Sequence, residues 1–262
     1  MARHVYSLIL LILAHFAMAS ESSSSCCGNP PDFAGSSRNF TIQSGGRTRH
    51  YLLHLPSSYR AGQMMPLMLA FHGAGGEPTE FERTTRLSED KINPGVITVY
   101  PAGIKGSWEG PSYATPGVDD KAFTAELVDE LKKTYCVDET RIYAVGKSNG
   151  GGFVNTLACS PVSSNFAAVA IVAGAMYDHA NASADESCRP GRLPLPLLEI
   201  HATGDKTIPY NGGEGRGGSL PSIPGFMERI QGWSHKWPTR ESGYEASHGV
   251  VEFLLAHRKR GY

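Results

Sequence analysis

One serine stands among glycines directly after an apolar stretch. The segment YAVGKSNGGGF, residues 143–153, places Ser148 in the pattern G-x-S-x-G. Residues 141–145 predict a buried strand and residues 153–159 a short helix. A serine on such a turn holds its hydroxyl clear of the sheet, and the free N–H groups of the next helix favour negative charge. The pattern alone is common, but this context favours a nucleophile over a helix-capping serine on a glycine turn.

A serine nucleophile needs a base, and the base needs a carboxylate to orient it. In hydrolases with this turn, the acid and then the histidine follow the serine along the chain. Asp205 comes just after a strand predicted over residues 195–201, and it is the predicted acid. The alternative is a plain turn with Gly204. Asp178 and Asp185 are weaker candidates because they follow the preceding strand.

The base must come after the acid, and three histidines do so. His235 lies among turn-forming residues in GWSHKWP and is the predicted base. His248, at the start of a predicted C-terminal helix with Val250 or Val251, Leu254 and Leu255 on its apolar face, is the alternative. His257 lies near the end of that helix. His201 precedes the acid and is predicted to be a hydrogen-bonded residue at a strand end.

The oxyanion formed by attack on a carbonyl needs two N–H donors. The backbone N–H of Asn149, directly after the nucleophile, is the first predicted donor. The second is Ala74, within FHGAGG over residues 71–76, where glycines let the backbone approach a substrate closely. Lys147 is predicted to point to solvent without a role. Four aromatic residues are open to either substrate stacking or ordinary packing: Trp108, Tyr113, Trp233 and Trp237.

Unbroken apolar strands alternate with helices over most of the chain. Such a pattern indicates a mostly parallel sheet with helices on both faces, an α/β fold in one domain. An antiparallel edge pair, turning at Gly45 and Gly46, comes first. The predicted strands cover residues 38–43, 49–55, 66–71, 96–100, 141–145, 166–173 and 195–201, and a long helix covers residues 119 or 120 to 135.

The amino terminus has the pattern of a secretory signal peptide. An apolar run over residues 7–14 ends in a small-residue cleavage pattern, so cleavage is predicted after Ala19. Residues 20–37 are predicted to be a loose leader, and residues 38–262 a single catalytic domain. The protein is therefore expected to be secreted, with no membrane segment after cleavage. The net charge of -1 argues against a nucleic-acid partner.

Five cysteines in a secreted chain indicate disulfides, at most two of them with one thiol left over. Their pairing stays open from sequence, and their spacing matches no zinc site, so neither a metal nor a cofactor is predicted. Asn39 and Asn181 begin glycosylation sequons. The cysteines are Cys26, Cys27, Cys136, Cys159 and Cys188.

Several longer motifs occur together in a characteristic order. They are FHGAGG, VYPAG, SWEG, PGVDDKAF, YCVDETRIYAVGKSNGGGF, ACS, PGRLPLPLLEIHATGDKTIPYNGG and SHKWP. From about residue 38 to residue 256 the chain resembles the secreted feruloyl esterases related to polyhydroxybutyrate depolymerases. The resemblance implies an α/β-hydrolase fold and a catalytic triad of Ser148, Asp205 and His235.

The resemblance also implies the substrates, which are feruloylated arabinoxylan or small hydroxycinnamate esters. The chain departs from the family between SIPGFM and RIQGWSHKWP, where relatives carry a further helix and strand, so its C-terminal part is shortened. Ser219 stands where such relatives are expected to have a cysteine. An acetylxylan esterase, a short-chain polyester esterase and a catalytically impaired carbohydrate-binding relative remain as alternatives.

Overall fold

A computed structural model describes residues 32–175, 177, 188–215, 218–220, 227–230, 237 and 245–259. The predicted signal peptide, Asn181 and His235 lie outside these residues. The strands are β1 (Ser36–Ser44), β2 (Arg47–Leu55), β3 (Met65–Phe71), β4 (Ile97–Pro101), β5 (Val137–Lys147), β6 (Ala168–Val172), β7 (Leu197–Ala202), β8 (Gly213–Gly215), β9 (Gly218–Leu220) and β10 (Met227–Ile230).

The predicted long helix is present, with its start fixed by a side chain. The Asp119 carboxylate accepts a hydrogen bond of 2.8 Å from the Ala122 N–H and caps the helix. In contrast, no sequence signal predicted the first helix, over residues 78–85. The helices are α1 (Pro78–Thr85), α2 (Asp120–Thr134), α3 (Asn149–Ala158) and α4 (Ala246–Leu255), with a 3-10 helix over Pro161–Asn165.

Eight strands form one sheet in the order β1-β2-β4-β3-β5-β6-β7-β10. β1 and β2 form the predicted antiparallel pair, and β2 is also antiparallel to β4. All pairs from β4 to β10 are parallel, which confirms the mostly parallel sheet. β1 begins at Ser36, so the last two residues of the predicted leader belong to this strand. The turn before it is closed by a hydrogen bond from the Gly35 N–H to the Leu55 carbonyl.

Both faces of the sheet are buried, as the unbroken apolar strands require. In β3, Leu67, Leu69 and Phe71 point to the core under α2 and α3. The alternate residues Met68 and Ala70 point to the core on the other face, under α1 and α4. This second core takes up Val250, Val251 and Leu254 from α4. Leu255, which was expected on the apolar face, is 37% exposed because it lies to the side of that stripe.

The connection between β7 and β10, in the C-terminal half of the sheet, covers residues 203–226. β10 pairs in parallel with β7, with Arg229 opposite His201. The described residues between these two strands include a small antiparallel hairpin of β8 and β9 and no helix. Ser219 lies in that hairpin.

A disulfide between Cys159 and Cys188 ties the end of α3 to the segment that leads into β7. The prediction of disulfides is therefore confirmed. Cys136 is also disulfide-bonded. None of the helices in the described part of the chain is long and apolar enough to span a bilayer.

Candidate active site

Ser148 lies at the junction of β5 and α3 in a strained backbone conformation. Its φ is 56° and its ψ is −119°, a region that non-glycine residues rarely adopt. The Ser148 N–H donates to the Val172 carbonyl at the end of β6 over 3.0 Å, which anchors the turn to the sheet. The strand, the sharp turn and the helix thus have the geometry expected of a nucleophile elbow.

The glycines around Ser148 are required by close backbone contacts. A Cβ on Gly146 would lie 2.2 Å from the Gly150 carbonyl oxygen, and a Cβ on Gly150 would lie 2.2 Å from the Phe71 carbonyl oxygen. A Cβ on Gly152 would meet the Tyr177 ring at 2.4 Å. These glycines therefore let α3 start directly against the end of β3.

The glycine loop after β3 lies beside the serine. A Cβ built on Gly73 would be 3.8 Å from the Ser148 Oγ, and Ala74 follows in the same loop. His72 fixes the loop: its Nε2 accepts from the Gly103 N–H over 3.0 Å, so its Nδ1 carries the proton donated to the Gly73 carbonyl. Burial lowers the pKa of His72, against that hydrogen bond and the charge of Glu77.

Asn149 joins the elbow to the segment that contains Trp108. Its Oδ1 accepts from the Trp108 N–H over 2.8 Å, and its Nδ2 donates to the Trp108 carbonyl and to the Tyr177 hydroxyl over 3.2 and 3.0 Å. Because the side chain is fully engaged in this way, it holds the first turn of α3 in place. Tyr177 also forms a hydrogen bond with Tyr113.

Two of the four aromatic residues are packing residues. Trp108 is fully buried, stacks on Phe153 at a centroid distance of 5.4 Å, and donates from its indole N–H to the His72 carbonyl. Trp237 is 4% exposed and packs edge-on against Phe81. Neither ring is available to stack on a substrate. Tyr113 is half-buried, and Trp233 lies outside the described residues.

A buried ion pair is hydrogen-bonded to the residue that follows Trp108. The Arg49 guanidinium and the Asp120 carboxylate are 2.7 Å apart, with 2% and 1% of their side chains exposed. The other oxygen of Asp120 accepts from the Glu109 N–H over 2.8 Å. Arg49 also lies over the Phe123 ring at 3.8 Å. The pair therefore connects β2, α2 and the residue next to Trp108.

Replacing Arg49 with methionine is expected to destabilise the protein by about 3–5 kcal/mol, because it leaves the buried Asp120 carboxylate without its partner. For a chain of this size that corresponds to a fall in Tm of roughly 6–20 °C, measurable by calorimetry. Arg83→Met is the control, since Arg83 pairs with Glu80 at the surface. An equal fall in Tm for both variants would contradict the role of the buried pair.

Asp205 lies on the loop after β7. It is 4% exposed, and its Oδ1 accepts from the Thr207 and Ile208 N–H groups over 2.8 and 3.0 Å. Because β3, β5, β6 and β7 are consecutive parallel neighbours, their C-terminal ends share one edge of the sheet. This edge holds the glycine loop, Ser148 and Asp205, and it is where open α/β sheets bind ligands.

Lys147 does not point into solvent, contrary to the prediction. It is half-buried and lines a cleft of about 180 Å³ together with the loop over residues 72–76 and α1. Burial lowers the pKa of Lys147, although the negative charge of Asp205 acts in the opposite direction. Lys147 therefore forms part of the wall of a cleft beside the glycine loop.

The remaining predicted residues are the two other candidate bases, His248 and His257, and the glycosylation site Asn39. His248 is exposed on α4. His257 lies near the start of β5, because Lys259 donates from its N–H to the Thr140 carbonyl. That point is eight residues, or roughly 26 Å of strand, from Ser148, so His257 is at the opposite edge of the sheet. Asn39 is exposed on β1.

Comparison with known proteins identifies relatives of this chain. Residues 49–212 match the family model described as Esterase PHB depolymerase. The chain belongs to this family. Feruloyl esterase B of Piromyces equi is 30% identical over 63% of this chain, which spans only 31% of that protein. A probable feruloyl esterase C of Aspergillus niger is 28% identical over 90% of this chain and 84% of its own length.

The solved structures agree on the fold. Est1E from Butyrivibrio proteoclasticus superimposes with a TM-score of 0.54 and 17% identity, over 83% of this chain and 98% of that one. The family member therefore has the α/β-hydrolase fold predicted for it, and family and fold together make it a carboxylic ester hydrolase. Within the described residues, no group of three His, Cys, Asp or Glu side chains is arranged to hold a metal ion.

Proposed function

We propose that this family member is a secreted serine esterase that releases ferulate or related hydroxycinnamates from plant cell-wall arabinoxylan. The observation that carries the proposal is the strained Ser148 beside the glycine loop, on the same sheet edge as Asp205. The substrate class rests on the sequence motifs and on relatives that are named feruloyl esterases. The N-terminal signal pattern and the Cys159–Cys188 disulfide support secretion.

In the proposed reaction, the Ser148 Oγ attacks the ester carbonyl carbon while His235 accepts its proton. The backbone N–H groups of Asn149 and Ala74 stabilise the oxyanion. The sugar alcohol leaves with the proton from the imidazolium, and a ferulate ester of Ser148 remains. Water then adds with the help of the same imidazole, ferulate departs, and the serine regains its proton. Asp205 holds the imidazole in the required tautomer and stabilises its cation.

A substrate panel tests the acyl preference. The mature protein is incubated with methyl ferulate, acetylated xylan oligosaccharides and a hydroxybutyrate oligomer, and kcat/KM is compared. We expect methyl ferulate to have the highest kcat/KM. A higher value for the acetyl or the hydroxybutyrate ester would replace the proposal with the corresponding esterase.

The same sample distinguishes an enzyme from a carbohydrate-binding relative. An organophosphate reacts with a serine only where that serine is activated, so it should label Ser148, as seen by peptide mass spectrometry. A folded chain that binds xylan oligosaccharides and is not labelled would favour the binding function instead.

A further inference from the structure

A second acidic residue and histidine lie behind the candidate acid. Glu199 and His201 are two residues apart on β7, so their side chains point to the same face of the strand. Both are buried, with 3% and 0% of their surface exposed. The His201 Nδ1 is 2.9 Å from the Glu199 Oε1, and its Nε2 is 2.7 Å from the Ile208 carbonyl oxygen.

The hydrogen atoms of this pair follow from the partners. A carbonyl oxygen can only accept, so the His201 Nε2 carries a proton and donates it to Ile208. The contact between Nδ1 and the Glu199 carboxyl group then holds one more proton, bonded either to the imidazole or to the carboxyl oxygen. The pair therefore shares one proton in addition to the one on Nε2.

The pair is connected directly to the loop that carries Asp205. The Ile208 carbonyl accepts from His201, while the Ile208 N–H donates to the Asp205 Oδ1. The other Asp205 oxygen, Oδ2, is 3.7 Å from the His201 Nε2. His201 thus closes the loop over residues 202–208 and places a donor next to the Asp205 carboxylate.

The other end of the pair reaches the element behind the nucleophile. The Glu199 carboxyl group accepts a hydrogen bond from the Gly174 backbone N–H. Gly174 packs tightly on α3, because a Cβ on Gly151 would lie 2.8 Å from the Gly174 Cα. One buried pair therefore links the helix that follows Ser148 to the loop of Asp205.

We propose that Glu199 and His201 are positioning residues for Asp205: their shared proton allows two buried carboxyl groups to lie around one imidazole and fixes the loop that presents the acid. This inference rests on the proposed role of Asp205. Neither residue needs to touch the substrate. The expected consequence is a loss in kcat, because a displaced acid stabilises the imidazolium of the transition state less well.

The charges around the pair support retention of the shared proton. Burial alone lowers the pKa of His201, but the bonds to Glu199 and Ile208 and the charges of Glu199 and Asp205 raise it overall. Burial raises the pKa of Glu199 to about 7, against the bond and charge of His201. The other titratable groups nearby are the Tyr210 ring, 6.0 Å from the His201 ring, and Lys147, which faces Asp205.

Three variants test the inference: His201→Leu, His201→Gln and Glu199→Gln, with kcat and KM for methyl ferulate measured across the neutral and alkaline range. His201→Leu should lower kcat by about 10- to 100-fold with little change in KM, as expected for a small displacement of a catalytic group. His201→Gln keeps a donor for the Ile208 carbonyl and should recover part of that loss. A fall in kcat that is accompanied by a comparable rise in KM would contradict positioning of the acid.

Glu199→Gln separates the shared proton from the shape of the pair. In the wild type, kcat should fall as pH rises through the raised pKa of the pair, because the cluster then acquires a second buried negative charge. Glutamine cannot lose that proton, so the variant should keep most of the neutral-pH kcat and lack this alkaline fall. An unchanged alkaline fall in Glu199→Gln would overturn the shared-proton assignment.

A readout without activity uses the same samples. A group whose folded-state pKa is raised stabilises the protein below its unfolded pKa, and this stabilisation is lost as pH rises through the folded pKa. The Tm of the wild type should therefore fall as pH rises through the folded-state pKa of Glu199, which burial raises to about 7. The Tm of Glu199→Gln should fall less. Parallel Tm curves for the two proteins would count against the pair, whether or not the esterase assay succeeds.

His54→Gln is the matched control. His54 is a buried histidine of β2 whose Nδ1 is 2.9 Å from the Ser37 Oγ, away from the sheet edge of Ser148. It should alter Tm at most and leave kcat and its pH profile unchanged. If the wild type is active and its activity depends on Ser148, but His201→Leu has the same kcat as the wild type, the positioning role is wrong while the proposed function stands. If wild type hydrolyses no ester, the proposed function fails separately.

Discussion

Replacing Ser148 with alanine is expected to reduce hydrolysis of methyl ferulate by at least about a thousandfold, with the fold unchanged. The residue supplies the only protein atom that forms a bond to the acyl group in the proposed reaction. Alanine fits the site because the serine is already held by its backbone, through the bond from its N–H to the Val172 carbonyl. The measurement is kcat/KM of purified wild type and variant, with circular dichroism to verify folding.

Ser57→Ala provides a control for the loss of a serine hydroxyl elsewhere. Ser57 is exposed and donates to the Asp90 carboxylate over 2.6 Å, so its replacement should leave kcat/KM unchanged. Equal rates for wild type and Ser148→Ala would end the assignment of the nucleophile. Any residual activity of the variant should be insensitive to organophosphate.

The second large effect is expected at Gly150, where one added methyl group should damage both stability and catalysis. Its Cβ would lie 2.2 Å from the Phe71 carbonyl oxygen and 2.4 Å from that of His72. Both atoms are backbone, so no side chain can rotate away. Gly150→Ala should cost about 3 kcal/mol or more, a fall in Tm of roughly 6–12 °C. Because the displaced backbone leads into the glycine loop, kcat should also fall by up to about 100-fold.

Gly95→Ala is the corresponding control. A Cβ at Gly95 would meet only the Ser58 Oγ, at 3.9 Å, which is an ordinary contact. This variant should have a Tm within a few degrees of the wild type and an unchanged kcat. A Gly150→Ala protein with wild-type Tm and kcat would show that the elbow can relax, and the steric argument for its glycines would be wrong.

The parts of the fold that sequence predicts well are those set by local patterns. The glycines and the strand-to-helix change around Ser148 predict the elbow, because the constraint is on the backbone of adjacent residues. The start of α2 follows from Asp119, whose side chain caps the next turn. Likewise, Gly45 and Gly46 mark a hairpin turn, and both have positive φ.

The features missed by sequence depend on contacts between distant residues. α1 has no side-chain cap at Glu77 and is stabilised by Phe81, which packs on Tyr100 and Trp237. The half-buried position of Lys147 follows from the approach of the glycine loop and α1, which no local pattern indicates. The pairing of Arg49 with Asp120 spans 71 residues. In each case the partner was set by the tertiary fold.

Within the candidate site, the sequence order of serine, acid and histidine was a stronger guide than composition. It selected Asp205, which lies on the expected sheet edge, and His235, which stays a prediction. The signal it lacked concerns His201. A histidine at a strand end reads as structural, and only the distances to Glu199, Ile208 and Asp205 relate it to the acid.

The side-chain bonds of Asn149 limit how this enzyme can be redesigned. The pattern G-x-S-x-G allows any residue after the serine, yet here the Asn149 amide both accepts and donates hydrogen bonds. Most variants in a library that varies this position should therefore have a disrupted nucleophile elbow. Aspartate has the right size but no donor for the Trp108 carbonyl, and aliphatic residues offer neither group. Directed changes in substrate range are better aimed at Lys147, the other variable position of the pattern, which lines the cleft beside the glycine loop.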